Sequence, residues 1–134
     1  MKLVFATLSI LFILQSAQAG PLHASCNLYW VFPSTDCATV ENAILKQIDL
    51  WTTADNCPNG AGEKCLYKTI SKSDTQIKAT HTTPKKGYVD DLTFTYAAAG
   101  NGCKVHGFST SETWYAVLDY GTNYCNLHNL LTGK

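Results

Sequence analysis

Six cysteines are the side chains of this 134-residue chain with the most obvious chemistry: Cys26, Cys37, Cys57, Cys65, Cys103 and Cys125. No two of them form a Cys-x-x-Cys pair, so their spacing favours disulfide bonds over the alternative of a metal site. We expect neighbours in sequence to pair, as Cys26–Cys37, Cys57–Cys65 and Cys103–Cys125. The second pair would close a loop, and the third would join the ends of a predicted hairpin.

Histidine is the usual general base and metal ligand, and the chain has four: His23, His81, His106 and His128. No two of them have the spacing of a zinc site. His81 and His106 lie in predicted strands, with their side chains on opposite faces. We therefore expect scattered histidines that lie on the surface or are partly hydrogen-bonded, and no metal site.

The acidic and hydroxyl side chains also lack a catalytic arrangement. Asp90 and Asp91 are adjacent on a predicted strand, so they point to opposite faces and cannot work as a carboxylate pair. Ser109 and Ser111 lack the Gly-x-Ser-x-Gly setting of a strained nucleophile. The sequence predicts no catalytic residue, no cofactor and no enzyme activity.

Aromatic side chains cluster near the C-terminus and are the candidate binding residues: Trp114, Tyr115, Tyr120 and Tyr124. Tryptophan and tyrosine combine a large apolar area with a polar group, and they are common in binding surfaces. The alternative interpretation is that those pointing inward fill the core.

The charges exclude most polyanion partners. Ten basic residues balance ten acidic ones, and every basic residue is a lysine. Recognition of phosphate or guanine favours the rigid fork of arginine and a basic patch, neither of which is present. We expect no nucleic-acid partner.

The N-terminus resembles a secretory signal. Lys2 precedes the apolar segment 3–14, and 15–19 ends in a small-x-small pattern. The apolar segment is shorter than the roughly 20 residues of a membrane-spanning helix. We therefore predict a signal peptide at 1–19, a single extracellular domain at 20–134, no membrane anchor, and an oxidising compartment in which the cysteines pair.

The predicted elements are one helix and a series of strands. Apolar residues at spacings of three and four predict a helix over 36–53, whose buried stripe runs from Cys37 to Trp51. Alternating patterns predict strands at 27–32, 65–70, 75–83, 88–96, 103–108 and 113–120. Turns are expected at 71–74 and 109–112.

A helix followed by about five consecutive antiparallel strands predicts an α+β fold, with the helix packed on a meander sheet and disulfides holding it. This order of elements resembles the cystatin-like fold. The inhibitory cystatins carry a Gln-x-Val-x-Gly hairpin, and the nearest string here is Gln76-Ile-Lys-Ala-Thr80. It lacks the later two residues, so the resemblance implies a shape and transfers no inhibitory residue.

Together these patterns favour a secreted, non-enzymatic binding protein that recognises another protein or a small apolar ligand. A protease inhibitor of cystatin-like shape is the first alternative, and a small secreted hydrolase is the second. The sequence leaves the oligomeric state open.

Overall fold

The computed structural model describes residues 23–112 and 122–133, without the side chains of 122–125 and 132. The predicted signal peptide and the predicted strand at 113–120 lie outside these residues. The described elements are β1 (Ser25–Phe32), α1 (Cys37–Leu50), β2 (Tyr67–Ser73), β3 (Gln76–Thr82), β4 (Val89–Ala99), β5 (Gly102–Ser111) and α2 (Thr122–Thr132). Two 3₁₀ turns, Ala54–Asn56 and Pro58–Gly60, follow α1.

The strands form one five-stranded antiparallel sheet in the order β1-β5-β4-β3-β2. This confirms the predicted α+β class and the antiparallel sheet. β2 to β5 follow one another as a meander, whereas β1 crosses to the far edge and pairs with the last of them. Gly102 is required at the start of β5, because a Cβ there would collide with the backbone of Phe32 and Pro33.

Both helices contact the same apolar face of the sheet. Side chains alternate along each strand, and the core consists of the inward residues of β2 to β5 and the apolar stripes of the helices. Its largest buried apolar members are Tyr67, Phe94, Ile44, Ile48, Ile77, Leu92 and Leu127. The inward residues of β1 are only half-buried and pack against this core.

The predicted helix is confirmed, with a shorter C-terminal end. Asp36 caps its N-terminus by accepting a hydrogen bond from the Thr39 amide at 2.8 Å. The same bond lowers the pKa of Asp36. At the other end the Trp51 amide donates to the carbonyls of Gln47 and Ile48, and the chain leaves the helix there.

Three local predictions are wrong. Residues 71–73 continue β2, so the expected turn at 71–74 comes later. Ser109 and Ser111 are buried strand residues of β5 and not part of a turn, because β1 and β4 pair with this segment on both sides. The polar segment that contains Tyr124 forms a second helix, α2, where only one helix was expected.

The disulfides also differ from the expected set. Cys57–Cys65 is confirmed, but Cys37 bonds to Cys103, so the predicted pairs Cys26–Cys37 and Cys103–Cys125 are wrong. An extended strand separates Cys26 from α1 by roughly 20 Å, far beyond the 5.5–6 Å between the Cα atoms of a bonded pair. Because Phe32 lies opposite Cys103, the pairing of β1 with β5 brings Cys37 to that bond.

We predict that peptide mapping of the unreduced protein gives Cys37–Cys103 and Cys57–Cys65 peptides. The cysteine count then leaves Cys26 and Cys125 for a third peptide; the side chain of Cys125 is outside the described residues.

Replacing both members of a bond by serine should lower the free energy of unfolding by about 4 kcal/mol for Cys37–Cys103 and about 2.5 kcal/mol for Cys57–Cys65, because the first closes the longer loop. Denaturant unfolding measures both values, and a reversed order would contradict the assignment.

Candidate functional site

An apolar groove lies between the two helices, near the C-terminal end of β1. Its volume is about 210 Å³, and its lining residues are Phe32, Thr35, Thr39, Val40, Ala43, Ile44, Leu130 and Leu131. Buried side chains from both helices form the floor, and Ala43 lies at the exposed side. The groove lies where α2 packs beside α1, and Phe32 of β1 also lines it.

The polar groups of the groove lie at the N-terminal end of α1. Thr39 donates its hydroxyl to Asp36 at 3.0 Å, so the threonine is held by the residue that caps the helix. None of the described residues that line the groove is a lysine, and the Asp36 carboxylate accepts hydrogen bonds from the lining residue Thr39. This combination of apolar walls, two hydroxyls and a nearby negative charge suits an apolar group that carries no negative charge.

A buried polar row crosses the opposite end of the sheet. Tyr67, His81, Asp90 and Ser111 are successive cross-strand neighbours from β2 to β5, and all four point inward. The tyrosine and histidine rings pack with their centroids 4.5 Å apart. α2 covers the row with Asn126, whose side-chain amide donates to Asp90 Oδ2 at 2.7 Å. Polar side chains therefore occupy a whole row of the inward face at this end of the sheet.

The loop before β2 places a second carboxylate on this row. The Cys57–Cys65 bond closes the loop, and the Tyr67 amide donates to the carbonyl of Trp51. Leu66 adopts φ 57°, a left-handed conformation that costs energy for a bulky residue and turns the chain into the strand. These constraints bring Glu63 over His81, with its side chain 36% exposed.

His81 is completely buried between the two carboxylates. Its Nε2 lies 3.5 Å from Glu63 Oε2, and its Nδ1 lies 3.8 Å from Asp90 Oδ2. Both distances exceed the 2.7–3.2 Å of an N–H···O hydrogen bond, and neither ring nitrogen has a hydrogen-bond partner among the described residues. The expectation of surface or partly hydrogen-bonded histidines is therefore wrong for His81.

Burial raises the pKa of the Glu63 carboxyl, and the negative charge of Asp90 raises it further. The positive charge that His81 carries when protonated acts in the opposite direction. The cluster thus holds three titratable groups in contact, of which only Glu63 reaches solvent.

The geometry of the cluster limits its chemistry. The two carboxylates lie against different ring nitrogens of His81, so one metal ion cannot contact all three groups. Within residues 23–112 and 122–133, no other group of three acidic, cysteine or histidine residues is arranged around a metal position either. A substrate would have to displace Glu63 before it reached the imidazole.

The structure does not describe the side chains of the four binding residues predicted from the sequence. Trp114, Tyr115 and Tyr120 lie outside the described residues. Tyr124 lies in α2, and its side chain is outside them as well. Those four residues remain candidates from the sequence alone.

The structure also shows the positions of two other histidines and of the two adjacent aspartates. His106 lies on the outer face of the sheet, with Nε2 2.8 Å from Asn27 Oδ1, whereas His81 lies on the inner face, so the two point to opposite faces as expected. His23 Nδ1 lies 2.7 Å from the carbonyl oxygen of Ser111. Asp90 is buried and Asp91 is exposed, which confirms that they point to opposite faces.

The sequence patterns did not identify Glu63 and Asn126 as parts of the polar cluster, or the residues of α2 that line the groove. The available signal was the alternation of β3 and β4, which places His81 in line with Ile77 and Ala79, and Asp90 in line with Leu92. A polar residue at the end of an apolar stripe indicates a buried polar group.

The sequence matches no known protein family, and no curated protein matches it. The site is therefore assigned from its geometry.

We predict that Asn126→Leu lowers the free energy of unfolding by about 2 kcal/mol, because it leaves a buried carboxylate without its donor. Combining it with Asp90→Leu should restore part of that loss, since the unpaired charge is then removed as well. Denaturant unfolding of the two single variants and the double variant gives the coupling. Asp91→Leu is the matched control on the exposed face, and additive losses would contradict the interaction.

We predict that Glu63 makes the stability of the folded protein depend on pH. Its carboxyl has a raised pKa in the folded protein, so the folded state keeps a proton that the unfolded chain releases above its ordinary value of 4.5. The Glu63 contribution to stability therefore falls as the pH rises from 4.5 through the raised value.

Glu63→Gln should remove this fall, so that the difference in thermal midpoint between variant and wild type increases with pH over that interval. Glu112→Gln, at an exposed carboxylate, is the control. A difference that stays constant with pH would contradict the burial of Glu63.

Proposed function

We propose that this protein is a secreted, non-enzymatic binding protein for a small, largely apolar ligand, which it holds in the groove between α1 and α2. The groove itself is the observation that carries the proposal, because it is a concave site lined mainly by apolar side chains of both helices. Ligand pockets are typically concave and mostly apolar, with a few polar groups that orient the ligand. The two threonine hydroxyls supply those groups here.

The size and charge of the groove limit the kinds of ligand that it can bind. Its volume of about 210 Å³ is below the roughly 300–1,000 Å³ of pockets that enclose a drug-sized molecule. We infer a single ring or a short chain, or one end of a larger ligand. The neighbouring Asp36 carboxylate disfavours an anionic group at the groove.

The buried cluster supports a non-enzymatic role. A general base must lie within hydrogen-bond reach of the proton that it removes. Both nitrogens of His81 face carboxylates of the protein itself, and the ring is completely buried. The hydrolase alternative therefore gains no support from His81.

The segment nearest to the inhibitory motif does not support the inhibitor alternative. The string Gln76 to Thr80, which is nearest to the inhibitory motif, lies in β3 and pairs with β2 on one side and β4 on the other. Its backbone is fully used by the sheet. The cystatin-like resemblance thus extends to a main helix on an antiparallel sheet and supports no inhibitory function.

Secretion is supported by the signal-like segment at 1–19 and by the two disulfides, which persist in oxidising compartments. No helix among the described residues is long and apolar enough to cross a membrane.

We predict that the neutral fluorescent probe N-phenyl-1-naphthylamine binds the secreted protein, and that Ala43→Phe weakens this binding at least about tenfold by filling the groove. Fluorescence titration measures both dissociation constants. Ala38→Phe is the matched control, because Ala38 is an exposed residue of α1 that does not line the groove. Unchanged binding to Ala43→Phe, or no binding by the wild type up to about 1 mM, would contradict the proposal.

A further inference from the structure

The first strand forms an open edge of the sheet. β1 pairs only with β5, and no other strand among the described residues lies beside it. The register runs without a shift from Ser25 opposite Thr110 to Phe32 opposite Cys103. Among the described residues, nothing pairs with the other side of these eight residues of extended backbone.

The register also fixes which backbone groups point outward. The Ser111 amide donates to the carbonyl of Ala24, so the even-numbered residues of this segment are hydrogen-bonded to β5. Hydrogen-bonded and non-hydrogen-bonded positions alternate in an antiparallel pair. The residues whose N–H and C=O groups point to the open edge are therefore Ser25, Asn27, Tyr29 and Val31.

The same odd-numbered residues carry the most exposed large hydrophobic side chains of the described chain. Tyr29 is 75% exposed and Val31 is 62% exposed. Tyr29 stacks on His106, with ring centroids 4.5 Å apart and an interplanar angle of 15°. His106 is held in turn by Asn27. The tyrosine is thus fixed in position beside the open edge although its ring is largely in solvent.

The two edges of the sheet differ. β1 contains no charged residue. β2, the opposite edge, carries Lys68 and Lys72, and its pairing shifts register between Thr69 and Ser71. Lysines and bulges are the devices with which proteins protect an edge strand from pairing with other chains. β2 is protected in this way, and β1 is not.

We propose that β1 is a dimerisation strand, which pairs antiparallel with the β1 strand of a second copy of this chain. The outward-pointing residues are symmetric about Leu28, so a two-fold axis there pairs all of them: Tyr29 with the partner's Asn27, and Val31 with the partner's Ser25. An uncharged strand brings no like charges together when it pairs with itself. The half-buried inward side chains of β1 are then covered by those of the second copy.

This proposal does not rest on the ligand groove, and sedimentation equilibrium of the secreted protein from about 1 µM to about 1 mM tests it. We expect a reversible monomer–dimer equilibrium that stops at the dimer, because the β2 edge is protected. Tyr29→Lys should raise the dimer dissociation constant at least about tenfold, since it places two lysines at diagonal positions across the new pair.

The matched control is Ile70→Lys. Ile70 is 56% exposed and lies on the β2 edge, so the same change in charge there should leave the equilibrium as it is. Tyr29→Pro is a second variant that removes one outward N–H and leaves the bonds to β5 in place. Near-wild-type thermal midpoints show that the variants are folded.

A protein that stays monomeric over the whole concentration range would overturn the proposal, whether or not the edge binds an unrelated extended peptide. A dimer that Ile70→Lys dissociates and Tyr29→Lys does not would overturn it as well.

Discussion

Eight successive residue pairs join β1 to β5, the first strand to the last described one, and most other features of the fold follow from this contact. Because β1 lies at one edge and β2 at the other, α1 must cross the whole sheet between them. That crossing buries the stripe of Val40, Ile44 and Ile48 against the strands. It also places the first turn of α1 beside the start of β5, where Cys37 bonds to Cys103.

The inward face of the sheet has two chemically different ends. Near the C-terminal end of β1 it is apolar, and the two helices leave a groove there that includes Phe32 and Leu130. At the other end His81 and Asp90 lie in a polar row beneath Asn126. Buried charges in a medium of low dielectric are stabilised only by their immediate neighbours. The row therefore depends on the position of α2 and of the disulfide-closed loop, whereas the groove depends on the spacing of the helices.

The sequence predicted the local parts of this structure and few of the long-range ones. The correct predictions involve residues that are close together in the chain: the helix, the alternation of β3 and β4, the opposite faces of Asp90 and Asp91, and the Cys57–Cys65 bond. The surroundings of His81 could not be predicted, because Glu63 and Asn126 come from a loop and a helix on either side of it in sequence. The same holds for the groove, since no second helix was expected at Thr122–Thr132.

The sequence by itself determined the α+β class, the buried stripe of α1 and the inward residues of the central strands, because helical and strand periodicity fix which side chains share a face. Only the tertiary structure decided which strand lies beside β1, which cysteine meets Cys37, and which carboxylates face His81. Those outcomes depend on how elements of different sequence separation pack into one core. A change of strand order leaves every local pattern intact and moves each of these partners.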